Sequence, residues 1–250
     1  MKHREYIRQV AGAKCAVLFI HGIVGTPNHF REVIPLMELV PEGWSVHNLL
    51  LPGHGGTVRE FGDSSMKAWR CAARNAFDAL ARTHDKVLIA GHSMGTLFAL
   101  ELAVDYPEKI PALFLMGVPM RPQLAPAAIN SCLRLTFGKL RPGRPEMAIE
   151  AACGTNPTWM LWKYLPWIPR FVELFIQVGR TERILDRMRV QATAFQSRRD
   201  ELVAFRSAKV LRKCEAVHVR VLEHSSHFYY CAEDSKTVRE AFSKLIESIQ

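Results

Sequence analysis

The chain has 250 residues, of which 48% are hydrophobic and 23% charged. That aliphatic and aromatic content excludes a largely disordered chain, and the length suffices for one large α/β domain or a core carrying an insertion. Lys and Arg number 33 against 24 Asp and Glu, a net charge of +9, so a polyanionic partner is excluded only once that charge is located along the chain.

Six cysteines (Cys15, Cys71, Cys132, Cys153, Cys214, Cys231) show no C-x-x-C and no Cys/His pairing. That pattern predicts free thiols in a reducing compartment and no structural zinc. Met1–Ala13 is polar, and the apolar run Cys15–Ile20 is too short for a secretory leader. With no apolar run near the ~18 residues of a membrane span, the expectation is a soluble, cytoplasmic protein.

In chain order, short apolar runs at Ala16–Ile20, Ser45–Leu50, Lys86–Ala90 and Pro111–Val118 read as strands. Between them, Phe30–Leu39, Ser65–Ala81 and Thr96–Asp105 read as helices, the last stopping just before Pro107. From Arg121 to Arg189 the rhythm breaks into a Pro-punctuated, helix-compatible stretch holding Trp159, Trp162, Trp167, Phe171 and Phe175. It resumes with strand Val190–Phe195, a helix near Ala204–Lys213, strand Ala216–Leu222 and a helix near Asp234–Ile249. The predicted fold class is α/β: a mostly parallel central sheet with helices on both faces and an inserted helical cap. The predicted division is a core over 1–120, a cap over 121–189 and the rest of the core over 190–250.

The strongest local signal is Gly91-His92-Ser93-Met94-Gly95, with a strand leading in and a helix leading out. A serine on such a turn sits in a strained conformation that requires small neighbours two residues away on each side. Its Oγ then stands above a helix N-terminus whose N–H groups favour developing negative charge. The bland alternative is a nucleotide-binding turn, but the phosphate-loop Lys and the G-x-G-x-x-G pattern are missing. His21-Gly22-Ile23, after the first strand, supplies the loop from which a second oxyanion donor would come. The Met94 and Ile23 backbone N–H groups are therefore the predicted oxyanion hole. His21 is a loop brace or pocket residue, and His54 and His92 brace loops or line the pocket wall.

The order of strand, His-Gly loop, Leu51-Pro52-Gly53-His54-Gly55, elbow and aromatic insertion resembles the α/β-hydrolases. More narrowly, it resembles small bacterial carboxylesterases and monoacylglycerol lipases with a short helical cap. The resemblance implies an acid after a late strand and a base after the last one. Asp200 matches the acid position, although this chain lacks the glycine many relatives carry in that turn. Glu201 falls one residue late and is expected to face away on a helix start, and Asp186 lies at the wrong end of the strand. For the base, His227 matches the final histidine, with His224 the alternative as a turn or pocket residue. The implied mechanism is attack by Ser93, with His227 as base and Asp200 holding its tautomer, through an acyl-enzyme and without cofactor or metal.

The basic excess lies mainly in the insertion, where 11 Lys and Arg face 5 Asp and Glu over Arg121–Arg189. No nucleic-acid-binding module accompanies it, so no nucleic-acid partner is expected. A peripheral contact of the basic cap with an anionic lipid surface is the weaker expectation. Trp159, Trp162 and Trp167 either wall an acyl pocket or pack the cap onto the core. The expected activity is hydrolysis of short to medium acyl esters. A thioesterase, an acyltransferase or a carbon–carbon bond hydrolase could use the same residues, and so could a non-catalytic ligand receptor.

Overall fold

The computed structural model describes residues 3–123, 145–154, 158 and 160–249. Its centre is a seven-stranded sheet in the order β1-β3-β2-β4-β5-β6-β7. The strands are β1 (Tyr6–Arg8), β2 (Cys15–Ile20), β3 (Ser45–Leu49), β4 (Lys86–His92), β5 (Leu113–Met116), β6 (Ala192–Ser197) and β7 (Val217–Leu222). All neighbours pair in parallel except β1, which runs antiparallel along β3 at the edge.

The helices are α1 (Val58–Asp63), α2 (Met66–Ala81), α3 (Met94–Asp105), α4 (Pro145–Ala152), α5 (Trp167–Glu182), α6 (Ser207–Leu211) and α7 (Ala232–Ile249). Local chemistry starts several of them. Thr57 and Glu60 form a reciprocal capping box at α1, and the Ser65 side chain accepts from the Ala68 N–H at α2. Along α7 the buried Val238, Phe242, Ile246 and Ile249 recur at helical spacing and turn one stripe to the sheet.

Alternation along the strands builds two cores. Leu18, Ile20, Val87, Ile89, Leu113 and Leu115 face α2 and α3, whereas Val17, Phe19, Leu88, Ala90, Phe114 and Met116 face α7. Burial on both faces explains why β2, β4 and β5 read as unbroken apolar runs. Among the described residues, no helix is long and apolar enough to cross a membrane.

Two expectations need correction, and one strand was not anticipated. Phe30–Leu39 is not an α-helix. Short 3₁₀ turns at Pro27–Phe30 and Met37–Leu39 flank an irregular stretch, because Pro35 disfavours helical backbone at Ile34. The polar N-terminal segment contributes β1, an edge strand whose exposed Ile7 gave no sign of burial. The helix expected over Ala204–Lys213 shrinks to α6, and residues 200–203 before it form a non-helical turn.

The long connection between β5 and β6 holds α4, a 3₁₀ turn at Leu161–Tyr164, and α5. Its far end docks on the core through Trp167, whose ring lies 4.4 Å from Phe61 and whose Nε1–H donates to the Val58 carbonyl at 2.7 Å. Arg180 of α5 meets Glu101 of α3 at 2.7 Å, and Glu101 also accepts from Arg70 of α2 and from Gln177 of α5. Its near end, around α4, joins the loop after β2. Thr26 Oγ1 donates to the Ala152 carbonyl at 3.1 Å, and the Gly154 N–H reaches the Val24 carbonyl at 3.3 Å.

Candidate active site

Parallel pairing aligns the C-terminal ends of β2, β4, β5, β6 and β7 along one edge of the sheet, where side chains from distant parts of the sequence converge. From β2 comes the loop His21–Gly25, and from β4 comes Ser93. Gly117 follows β5, Asp200 and Glu201 follow β6, and His227 follows β7.

Ser93 has φ 51° and ψ −124°, a conformation L-residues rarely adopt. It sits at the N-cap of α3, so the Met94 amide opens the first helical turn, where N–H groups have no helical acceptor. The flanking glycines are steric requirements: a Cβ on Gly95 would overlap the carbonyl oxygens of Ile20 and His21, and one on Gly91 would come within 3.0 Å of the Thr96 backbone. The loop carrying Ile23 touches the serine directly, since a Cβ on Gly22 would lie 2.6 Å from Ser93 Cβ. Val24, next in that loop, also has positive φ, at 59°.

His227 Nδ1–H donates to Asp200 Oδ2 at 2.8 Å, and both side chains are almost wholly buried. With the proton on Nδ1, the Nε2 lone pair is free to accept one. The other Asp200 oxygen accepts from the Leu202 and Val203 amides at 2.8 and 2.7 Å, which fixes the carboxylate in a turn closed without glycine. Gly117 lets β5 approach this pair, for a Cβ there would stand 3.4 Å from His227 Cε1. The turn before His227 is held by Asp234, which accepts from the His224 and Ser225 amides and from Ser225 Oγ. His224 enters this turn through its backbone N–H.

Residues 17–241 match the model of the alpha/beta hydrolase family. The chain belongs to the alpha/beta hydrolases. The curated relatives agree over part of their length. A pimeloyl-[acyl-carrier protein] methyl ester esterase of Aromatoleum aromaticum is 32% identical over 101 residues, 40% of this chain and 36% of that protein. A thermostable monoacylglycerol lipase of a Bacillus species is 29% identical over 93 residues, 37% of this chain and 36% of that one. The match thus spans little more than a third of these relatives. Among solved structures, a metagenome-derived lipolytic enzyme superposes with a TM-score of 0.73 at 19% identity, covering 99% of this chain and 98% of the other.

Five buried histidines crowd the site of this hydrolase: His21, His29, His54, His92 and His227. Burial pushes His29 down to about 3 and His54 to about 4. Burial also holds His21 and His92 well below the ordinary histidine range, reinforced by His54 for His21 and by His29 for His92. These four are neutral spacers. For His227, burial alone would depress the value, but the Asp200 charge, the hydrogen bond to it and the Glu201 charge together carry it above 6.5. Of the five, His227 is the one whose surroundings favour the protonated form.

The remaining candidates have other duties. His21 accepts the Leu51 amide at Nε2 (3.0 Å) and donates from Nδ1 to the Gly22 carbonyl (2.8 Å), bracing two loops with a fully buried ring. His54 donates to the Pro52 carbonyl and packs edge-on to His21. His92, also buried, stacks on His29 at 3.6 Å and donates from Nε2 to the His227 carbonyl at 3.1 Å. Of the brace and pocket roles expected for His21 and His92, these contacts are those of a brace. Trp167 packs on Phe61 and Tyr164, Trp162 is 60% exposed, and Trp159 lies outside the described residues.

Glu201 corrects the sequence reading. It does not face away on a helix start. Its carboxylate is buried and accepts the His227 backbone N–H at 3.1 Å. Sequence reasoning missed this contact because the turn after Asp200 stays non-helical. Among the described residues, no group of three His, Cys, Asp or Glu is placed to hold a metal ion.

Proposed function

We propose that this alpha/beta hydrolase is a serine carboxylic ester hydrolase acting on short to medium acyl esters. The observation that carries the reading is the buried His227–Asp200 hydrogen bond on the same sheet edge as Ser93 on its strained turn. In the proposed cycle Ser93 Oγ attacks the acyl carbonyl while His227 Nε2 takes its proton. Asp200 stabilises the imidazolium, and the Met94 and Ile23 amides donate to the oxyanion. His227 returns the proton to the leaving alcohol, and water attacks the acyl-enzyme by the reverse route. The esterase and lipase names of the relatives support ester bonds as the substrate class.

The residues between β5 and β6 are read as a cap. Leu161, Trp162, Leu165, Ile168, Val172 and Phe175 present an exposed apolar face beside Lys163, which supports contact of the cap with an anionic lipid surface. Sedimentation with phosphatidylglycerol against phosphatidylcholine vesicles tests that contact, and equal recovery with both removes it.

The decisive experiment is turnover of p-nitrophenyl butyrate by the wild type and Ser93→Ala, with fluorophosphonate labelling mapped by mass spectrometry. Retained turnover in Ser93→Ala, or no label on Ser93, overturns the mechanism. A series of p-nitrophenyl esters from acetate to laurate then defines the acyl length.

A further inference from the structure

Three contacts hold His227. Its imidazole donates to Asp200, its backbone carbonyl accepts from His92, and its backbone N–H donates to Glu201 Oε2 at 3.1 Å. The first belongs to the mechanism proposed above, and the other two fix the main chain that carries the ring.

Glu201 is the unexpected partner. A buried carboxylate costs several kcal/mol in lost hydration unless its charge is used. A glutamine would accept the same N–H without that cost, so an acceptor alone does not explain a glutamate here. What distinguishes the two is the negative charge, which the 3.1 Å contact to the His227 backbone N–H holds beside that residue and which favours the charged form of its ring. The groups around the ring are Asp200 and Glu201 from the turn after β6, His92 from the end of β4, and His29 from the 3₁₀ turn after β2. Tyr230 follows on the chain of His227 itself, with its hydroxyl held neutral by burial and by Asp200. Both neighbouring histidines are held neutral, so among the described residues the two carboxylates are the charges that act on the ring.

We propose that Glu201 is a second acid of the site, a positioning residue that clamps the His227 backbone and adds its charge to that of Asp200 in stabilising the imidazolium. The inference rests on the reading of His227 as the general base. Asp200 sets the tautomer through Nδ1. Glu201 sets the height of the ring through the main chain, and raises its basicity through space without touching it. The burial-induced loss of basicity is thereby offset from two directions.

The test separates clamp from charge. Glu201→Gln keeps an acceptor for the His227 N–H and removes the charge, whereas Glu201→Ala removes both. Asp234→Asn, which alters the bracing of the preceding turn, is the structural control. The His227 imidazole is titrated by NMR in the Ser93→Ala background, so the readout does not depend on turnover. Glu201→Gln is expected to lower its midpoint by about one pH unit, the lower end of what a nearby carboxylate does. Asp234→Asn is expected to leave it in place. In the active enzyme, the acid limb of kcat/KM moves down with Glu201→Gln and kcat falls up to about tenfold, the equivalent of one unit of imidazolium stabilisation. Glu201→Ala shows the same shift with a larger loss in kcat.

An unmoved His227 midpoint in a folded Glu201→Gln protein overturns the proposal, as does a midpoint that moves equally with Asp234→Asn. A wild type that turns over no ester while the midpoint still shifts overturns the ester reading alone.

Discussion

Adding one methyl group at Gly22 should disable the site without replacing any reacting residue. Gly22 has ordinary negative φ, so alanine is permitted by the backbone and the effect is purely steric. The new Cβ would stand 2.6 Å from Ser93 Cβ, 3.2 Å from Ser93 Oγ and 3.3 Å from His92 Nδ1. Carbon atoms in contact sit at about 3.5–4.0 Å, so about 1 Å of movement must be absorbed. Neither side yields easily. Ser93 is held in its strained turn over α3, and the Gly22 carbonyl accepts from both His21 Nδ1 and the Gly25 N–H. Overpacking of this kind costs about 1–3 kcal/mol, which lowers Tm by roughly 2–12 °C in a chain of this size. A displacement of about 1 Å between nucleophile and oxyanion loop costs about a hundredfold in rate. The assay is kcat and KM for p-nitrophenyl butyrate beside a thermal melt, with the loss expected in kcat. Gly25→Ala meets its nearest atom, the Gly22 carbonyl oxygen, at 3.1 Å and serves as the milder comparison. A Gly22→Ala enzyme within a few-fold of wild type would refute the packing of this loop against Ser93.

Three further outcomes are expected. In Asp200→Asn, Oδ1 can keep the Leu202 and Val203 amides while Nδ2 faces His227, which forces the proton onto Nε2. kcat should drop by about 10³–10⁴ with little change in Tm, and a drop confined to KM would contradict the assigned tautomer. The raised His227 value means the base is protonated, and activity lost, as pH falls through a point above 6.5; an acid limb of kcat/KM below that point would contradict the charge arrangement. Trp167→Ala should cost about 2–3 kcal/mol by removing the Phe61 contact and the bond to Val58, and Leu161→Ala, at a side chain 77% exposed, about 0.5 or less. Thermal melts of equal depth for the two would refute the docking of α5 through Trp167.

What the sequence made legible is what neighbouring residues decide. The strand, the serine and the small flanking residues of 91–95 lie together, so the elbow could be read directly, as could the apolar strands buried on both faces. Asp200 was legible only by its place after β6, and His227 only by its place after β7. Their 2.8 Å contact joins residues brought together by sheet order, which no local pattern encodes. The same reason hides the histidine layer: His29 and His92 stack across 63 positions of chain. Glu201 was misread because a helix was extended back to it. The two 3₁₀ turns around Pro35 were misread because apolar spacing spoke for a helix that proline forbids.

The joint between α4 and the loop after β2 bears on how such enzymes diversify. Thr26 holds the Ala152 carbonyl, Gly25 bridges Cys153, and Gly154 has no room for a side chain against Thr26 and Gly55. The segment around α4 is therefore packed into the loop after β2 and not merely laid over it. Transplanting a different one, or evolving a new one, requires rewriting residues 22–26 in step with it. A change in the segment around α4 is therefore felt in the loop that packs against Ser93.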